Sequence, residues 1–454
     1  MDASPTKKRI LILGGGFAGA YTALALQKKL SRTPDVEVML VSQENFVLFT
    51  PMLHEVAGSD AAATDVVQPL RKMLRHTGVL IGDIESIDLD KKQVRVRQID
   101  LVHHRDLTYD QLVLALGSVS NFYHTPGIEE HALTMKTLGD ALVVRNRAID
   151  ALELADGEPD ENLRKGMMTV VVVGAGFAGV ETVGAVNDLM RESLKFYNNL
   201  NEDMLRIVLI DVGQMILPEL GESLGHYAEK ELRKRGVEIH LKTAVKGYDG
   251  NEVVLGDGTK IASNMIIWTA GITPVPIVST LPCAQERGHI VANEFLQVKD
   301  RPGVWALGDC AQVPDLTNPG KCCPPTAQHA TRQATTLARN IVATMRGEAP
   351  KPFKFKTLGL LATIGRRTGV AEIMGFHFSG IIAWWMWRAI YLSKLPGLQK
   401  KIRVALDWTL DLVFSKDIVQ VRILPSLSVA GIADRPAILA GKAPPVAGKT
   451  EKIA

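Results

Sequence analysis

Arg9-Ile-Leu-Ile-Leu-Gly-Gly-Gly-Phe-Ala-Gly19 is the stretch whose reading decides the fold. An apolar run, Ile10 to Leu13, breaks into glycines at 14, 16 and 19 and resumes as the helix-forming Ala20-Tyr-Thr-Ala-Leu-Ala-Leu-Gln27. That order is strand, tight turn, helix. Gly14 permits the turn, Gly16 lets a pyrophosphate approach the backbone, and Gly19 lets the helix pack on its strand; the helix N-terminus then offers bare N–H groups to the anion. One such pattern is weak evidence. A second, Val170-Val-Val-Val-Gly-Ala-Gly-Phe-Ala-Gly179, repeats it almost letter for letter, with Gly174, Gly176, Phe177, Ala178 and Gly179 matching Gly14, Gly16, Phe17, Ala18 and Gly19. Two copies in one chain predict two bound dinucleotides, which is what passing a hydride from one to the other requires.

Outward from each loop, the next strand end is expected to carry an acid for the ribose hydroxyls. After the first loop the strand Val36-Glu-Val-Met-Leu-Val41 ends at Ser42, so Glu44 is the substitute, with a solvated loop carboxylate as the bland alternative. After the second, the strand Leu205 to Ile210 ends at Asp211, which suits NAD and repels the 2′-phosphate of NADP, although a strand-end Asp also serves turns. Glu181 stands two residues past Gly179. It is either a carboxylate favoured at the positive end of a helix or a group placed where a nicotinamide meets a flavin.

Between the loops, Ile84 to Val96 alternates around the turn Asp90-Lys-Lys92 as a hairpin. The buried strand ending at Gly117 marks the exit from the first domain, and the matching Ile266-Ile-Trp-Thr-Ala-Gly271 marks the return. An acidic linker is expected from Glu153 to Glu161. Asp309, in Gly303-Val-Trp-Ala-Leu-Gly-Asp-Cys-Ala311, is placed to accept a hydrogen bond from a flavin polyol or simply to make a turn. Gln328 and Arg332, four apart on a helix, share a face that borders a substrate pocket if the chain holds a cofactor.

A chain of 454 residues accommodates two to four domains. The net charge of +3 hides an asymmetry: from Arg346 onward there are 17 Lys and Arg against 7 Asp and Glu, and before it 35 against 42. The basic end is a candidate for an anionic surface. Four cysteines, Cys283, Cys310, Cys322 and Cys323, make no disulfide framework and lack metal-ligand spacing, so no metal is expected. No apolar signal segment precedes the first strand, and no stretch is long enough to span a bilayer. Trp384, Trp385, Trp387 and Tyr391 crowd one run, and Ile402, Ala405, Leu406, Leu410 and Val413 share a helical face that begins with Lys400, Lys401 and Arg403. Basic residues beside Trp and Leu describe a helix lying among lipid headgroups, or else a dimer or domain interface. Truncation near Gly375 is then expected to free the protein from liposomes.

Assembled, the chain resembles the type II, non-proton-pumping NADH:quinone oxidoreductases. The specific motifs are Phe49-Thr-Pro-Met-Leu-His-Glu-Val-Ala57, Trp268-Thr-Ala-Gly271, Gly179-Val-Glu181, Ala327-Gln328 and the Trp-rich end. The resemblance implies an α/β fold of two Rossmann-like domains. An FAD-binding domain is expected from residues 1–120 and 272–350, an NADH-binding domain from 121–271 and a membrane-associating region from 351–432; the Ala-, Pro-, Gly- and Lys-rich composition of residues 433–454 predicts a disordered tail. Non-covalent FAD would lie against Gly14, Gly16, Phe17, Ala18, Gly19, Glu44, Thr50, Gly117, Asp309, Ala327 and Gln328. NADH would lie against Gly174, Gly176, Phe177, Ala178, Gly179, Glu181, Asp211 and Gly271. A membrane quinone would meet Gln328 and Arg332, and Glu181 and Gln328 would act in catalysis. Gln328 matches the first glutamine of the family's Ala-Gln-x-Ala-x-Gln pattern; the second is Arg332 here, with Gln333 adjacent. The partners implied are the quinone and an anionic phospholipid surface on the cytoplasmic face of the inner membrane, with no nucleic acid and room for a homodimer.

Three rivals remain at this stage. Sulfide:quinone oxidoreductase needs redox cysteines in the first half, and none precedes Cys283. A soluble ferredoxin reductase has no use for the basic, Trp-rich end. A flavoprotein redox sensor would form a lasting complex with NADH without quinone turnover.

Overall fold

The structure, a computed structural model, describes residues 7–98 and 102–420. The tail expected from residue 433 lies outside the described residues.

Strand β1 (Lys8–Leu13) leads into helix α1 (Phe17–Lys29), strand β2 (Val36–Ser42) and the short helix α2 (Leu53–Ala57). Then come β3 (Gly78–Asp88), β4 (Gln93–Gln98), β5 (His104–Thr108), β6 (Gln111–Leu114) and the crossing strand β7 (Ser118–Ser120). A second unit follows: β8 (Leu133–Thr134), α3 (Leu138–Gly157), β9 (Thr169–Val173), α4 (Phe177–Ser193), β10 (Arg206–Ile210), α5 (Gly221–Lys234), β11 (Val237–His240), β12 (Met265–Trp268) and the return strand β13 (Ile272–Pro274). The chain ends through β14 (Val304–Ala306), α6 (Ala327–Met345), the hairpins β15 (Gly359–Thr363), β16 (Gly369–Ile373) and β17 (Phe376–Ser379), and helices α7 (Gly380–Lys394) and α8 (Leu398–Leu410).

Seven strands form the first sheet in the order β14-β6-β1-β2-β3-β4-β5, and five form the second in the order β8-β12-β9-β10-β11. β1 lies parallel between β6 and β2, and β9 lies parallel between β12 and β10. Each glycine loop therefore leaves the strand where the winding order reverses, the crevice in which such sheets bind ligands. The apolar runs explain the placement: Ile10 to Leu13 and Val170 to Val172 are all fully buried, as strands covered on both faces must be. β7 and β13 pair antiparallel, Ile272 opposite Ser120, so the two crossings between the units run side by side.

The expected hairpin is present and gains a third strand, since β4 pairs with both β3 and β5. The acidic linker is corrected in part. Helix α3 continues through Gly157 because Ala151, Leu152 and Ala155 pack into the core, and its start is fixed by a capping box between Thr137 and Asp140.

The C-terminal helices are two-faced. On α8, Val404 and Trp408 are buried while Leu398, Ile402, Leu406 and Leu410 are exposed at four-residue steps. On α7, Ala383, Trp384, Trp387 and Arg388 are buried while Ile381, Ile382 and Trp385 face out. Trp387 and Trp408 join the core that holds α2, α3 and α4. Removing the chain from Gly375 would therefore open that core as well as any surface, so the truncation expected above cannot separate the two. The basic start of α8 is also partly spoken for, since Lys400 and Arg403 both pair with buried Asp65.

Candidate functional site

Two cradles and a buried polar cluster make up the site. In the first cradle Gly14 has φ +107°, and a Cβ there would sit 2.1 Å from the Ala115 carbonyl oxygen; a Cβ on Gly19 would sit 1.9 Å from that of Gly14. A Cβ on Gly16 would meet nothing within 4 Å, and no side chain caps α1. The second cradle repeats this: Gly174 has φ +104° and packs on Ala270, Gly179 abuts Gly174, and Gly176 is open over an uncapped α4. A closed turn with open space over a helix N-terminus is the form a pyrophosphate needs, so both loops fit the dinucleotides expected of them.

Other residues converge on the first cradle. A Cβ on Gly308 would lie 3.0 Å from that of Ala18, which brings Asp309 beside the loop. Asp309 accepts a hydrogen bond from Ser118 Oγ at 2.8 Å, and Lys136 Nζ donates to the same Oγ at 2.9 Å. Gly117 is open, with no atom within 4 Å of a Cβ. Gln333, inward on α6, accepts from the Gly308 N–H at 2.9 Å. Ser42 donates its Oγ to the Glu44 carbonyl at 2.7 Å, while the Glu44 side chain lies at solvent, as does Thr50.

At the second cradle Asp211 is tied to the loop. Its carboxylate accepts from the Ala175 N–H at 2.6 Å and the Gly213 N–H at 2.5 Å. Gly271, φ +148°, is held against the Tyr123 hydroxyl.

Glu181 lies in the first turn of α4, 8 % exposed. His54 on α2 places Nδ1 3.4 Å from Glu181 Oε2, its Nε2 is 3.0 Å from Thr363 Oγ1, and the Thr363 N–H donates to Glu181 Oε1 at 3.4 Å. Glycine makes this meeting possible: Gly184 on α4 lets Ile364 approach, and Gly58 lets α2 close on Ala185. Burial pushes the Glu181 carboxyl well above the usual range, against the pull of the Thr363 N–H and the Trp387 indole, and Glu55 raises it further. Burial, helped by the charge of Lys416, pushes His54 down to about 3. Burial thus favours the protonated carboxyl of Glu181 and the neutral imidazole of His54. An aromatic chain joins this cluster to the first cradle: Phe17 touches Phe49 at 5.9 Å, Phe49 touches Tyr391 at 6.1 Å, Tyr391 touches Trp387 at 4.7 Å, and Trp387 touches His54 at 5.4 Å.

Gln328 donates from Nε2 to the Gly359 carbonyl at 2.9 Å, so α6 and β15 are stitched together beside Ala327. Arg332 folds back on the same helix, Nη1 donating to the Gln328 carbonyl at 3.1 Å and its guanidinium lying 4.2 Å over the Phe355 ring. The helix face therefore offers a stacked cation where the family pattern has an amide, and the neighbouring Gln333 cannot substitute because it points inward.

Sequence reasoning flagged the stretch containing His54 and Glu55 only as a family motif. It gave no role to Thr363 or Trp408. Buried polar contacts between distant segments are what identify them, and a sequence does not display burial. All four cysteines are free, and burial pushes Cys310 and Cys323 up to about 11, so neither is a thiolate at neutral pH.

Residues 8–334 match the pyridine nucleotide-disulphide oxidoreductase family, and residues 358–417 match the NDH2 C-terminal domain. The chain is 33 % identical over 422 residues to the type II NADH:quinone oxidoreductase Ndh of Mycobacterium tuberculosis, covering 89 % of this chain and 88 % of that one. It is 30 % identical to the demethylphylloquinone reductase NdbB of Synechocystis, covering 90 % and 96 %. Among solved structures, NDH2 from Plasmodium falciparum in complex with NADH superposes with a TM-score of 0.84 at 20 % identity, covering 91 % of this chain and all of that one.

Proposed function

Because the chain belongs to the type II NADH:quinone oxidoreductases, within the pyridine nucleotide-disulphide oxidoreductase family, its activity is transfer of two electrons from NADH to a quinone, and we propose the following assignment of its residues. The first cradle with Asp309, Gly117, Glu44, Thr50 and Ala327 holds non-covalent FAD, on a domain built from residues 1–120 and 272–350. The second cradle with Asp211 and Gly271 holds NADH on residues 121–271. Bound FAD supplies the two-electron acceptor that takes hydride from NADH and passes electrons on to quinone.

The observation that carries the reading is Glu181. It follows the second glycine loop by two residues, yet its carboxyl lies in the buried cluster that the aromatic chain joins to the first loop. A carboxyl held neutral by burial is a proton donor for a quinone accepting electrons. Gln328 positions the quinone by fixing β15 against α6, and Arg332 presents its cation one helical turn further along α6. The apolar lining and the closed packing of α2, α4 and α7 keep bulk water from the cluster.

The quinone approaches from a membrane. No helix among the described residues is long and apolar enough to cross one. The outward faces of α7 and α8 carry Ile381, Ile382, Trp385, Leu398, Ile402, Leu406 and Leu410, a pattern suited to lying in the headgroup layer as a peripheral protein. The basic balance of this end favours an anionic leaflet, and NADH supply favours the cytoplasmic face of the inner membrane.

Anaerobic mixing tests the activity: NADH should bleach the flavin, and a short-chain quinone should restore its absorbance. No bleaching would remove the NADH assignment; bleaching without restoration would point to another acceptor. The membrane assignment is tested by Ile402→Glu combined with Leu406→Glu, which leaves the core face intact. Liposome partition should fall at least ten-fold, since each side chain forfeits roughly 1 kcal/mol or more of apolar burial. Unchanged partition would remove it, and a fall in oligomeric mass in its place would make this face a homodimer interface. Replacing Cys322 and Cys323 with Ser should leave NADH oxidation within two-fold, as sulfide chemistry at those thiols would not.

A further inference from the structure

Reduction of a quinone to its quinol takes two electrons and two protons. Hydride from NADH accounts for both electrons and one proton, and the second proton comes from solution. Glu181 is buried, so once it has given its proton it needs a route for replacement. His54 stands between two carboxyls: Nδ1 is 3.4 Å from Glu181 Oε2, and on the other side of the ring Nε2 is 4.0 Å from Glu55 Oε1 and 3.0 Å from Thr363 Oγ1.

We propose that Glu55 and His54 form the relay that reloads Glu181 with a proton. Glu55 passes a proton to His54 Nε2 across the 4.0 Å between them, and His54 releases the proton on Nδ1 to Glu181. One proton moves and no electrons do: Glu55 is left a carboxylate, Glu181 an acid and the imidazole its other tautomer, which returns to the Nδ1–H form by gaining a proton on Nδ1 and losing the one on Nε2 before the next transfer. The relay rests on the role given to Glu181 above. His54 and Glu55 act through Glu181.

The surroundings fit a relay better than a plain structural contact. A structural carboxylate would be paired with a cation at bonding distance. The partner of Glu55 Oε2 is instead the neutral Trp408 indole, whose Nε1 donates at 2.7 Å and leaves Oε1 facing His54. The charges that face Glu55 are Asp60, Arg388 and Lys416. Lys416 is bonded to Asp60 at 2.6 Å and to the Gly58 carbonyl, and Arg388 is sandwiched 3.9 Å from the Trp384 ring and 4.8 Å from that of Trp408. The charge on Arg388 also reaches Asp411, just past α8, where the cluster nears the surface with one carboxylate oxygen buried and unpartnered. Burial and Asp60 push Glu55 up to about 7, and burial pushes Asp411 to about 7. Both groups therefore exchange protons in the range where the reaction runs. The C-terminal helix that faces outward thus also holds the outer end of the proton route, through Trp408.

The test separates the two half-reactions of the FAD-loaded protein. In Glu55→Gln, NADH should bleach the flavin within two-fold of the parent rate. Quinone-driven recovery should slow at least ten-fold, and Glu55→Asp should restore part of it. In the parent, recovery should fall as pH rises through about 7, because Glu55 then lacks the proton it passes on; Glu55→Gln should lose that step. The infrared band of protonated carboxyls titrating near 7, measured without NADH or quinone, should be weaker in Glu55→Gln than in the parent by the share of Glu55, with that of Asp411 remaining. Trp408→Phe removes a hydrogen bond that holds Glu55 down, so its midpoint should move to higher pH. Glu55→Gln with parental recovery and an unchanged pH profile overturns the relay. If Glu55→Gln fails to fold, an unmoved midpoint in Trp408→Phe overturns it. Absence of quinone-driven recovery in the parent itself would overturn the quinone reading instead.

Discussion

The two glycine loops are almost the same sequence, and their backbones are almost the same shape, yet they sit in different chemistry. Gly14 and Gly174 differ by three degrees in φ, and both third glycines press on the first glycine's carbonyl. The differences lie around them. Loop one has Gly15 where a Cβ would strike Ser42 Oγ at 2.1 Å; loop two has Ala175, whose N–H is bonded by Asp211. Helix α1 buries 6 of its 13 residues and α4 buries 13 of its 17, so the second helix runs through the middle of the molecule. Two residues past the last glycine, α1 carries Tyr21 and α4 carries Glu181. Loop chemistry is local and can be duplicated. The environment of the helix that follows is not local, and it gives one copy a proton-bearing group.

Breaking the shared feature should have the largest effect. Gly19→Ala and Gly179→Ala each force a Cβ to within 2 Å of a carbonyl oxygen, a strain on the order of 4 kcal/mol or more. Gly19→Ala is expected to lose flavin on purification, whereas Gly179→Ala keeps flavin that NADH no longer bleaches. The same defect in both would erase the division of labour between the loops.

Next in size is the contrast between Glu181 and Tyr21. Glu181→Gln should slow quinone-driven flavin recovery about 100-fold, in the range of a lost acid catalyst, with bleaching by NADH preserved. Tyr21→Phe should change neither step by more than two-fold. Stopped-flow absorbance reads both.

Copying loop one onto loop two is milder. Asp211→Ser removes the acceptor for two backbone N–H groups and the repulsion of a 2′-phosphate. The KM for NADH should rise roughly ten-fold, about 1.4 kcal/mol, and the ratio of kcat/KM for NADH over NADPH should narrow. An unchanged ratio would remove Asp211 from specificity. Smallest is Glu44→Ala, expected to weaken FAD binding about five-fold, on the order of 1 kcal/mol, measured by flavin fluorescence on dilution. No change would leave Ser42 and the loop backbone to hold the adenosine end alone.

Much of this was legible in the chain because it is encoded by near neighbours. Glycines at 14, 16 and 19 and again at 174, 176 and 179 specify turn, approach and packing within one strand–helix unit, and Phe17, Ala18, Phe177 and Ala178 come with them. Asp309 was legible as a strand-end acid, although its place beside the first loop depends on Gly308 meeting Ala18 across nearly 300 residues. The two-faced character of α8 was half legible. Periodicity marked Ile402, Leu406 and Leu410 as one face, but it gave no sign that Val404 and Trp408 make the opposite face a core surface. Arg388 interrupts the aromatic run of α7, and the fold turns it into a cation buried between tryptophans. The reason for the miss is that hydrophobic pattern reports what can be buried, while the partner decides what is.

By itself the sequence determined the two strand–turn–helix cradles, the strand-end residues Ser42 and Asp211 beside them, and an amphipathic basic end, since each depends on backbone geometry and side-chain spacing over a few residues. Only the tertiary structure decided that His54, Glu55, Glu181, Thr363 and Trp408, drawn from across 355 positions of chain, share one dry cluster. Proton chemistry there depends on desolvation and on distances of 3 to 4 Å, and both arise when distant segments pack together.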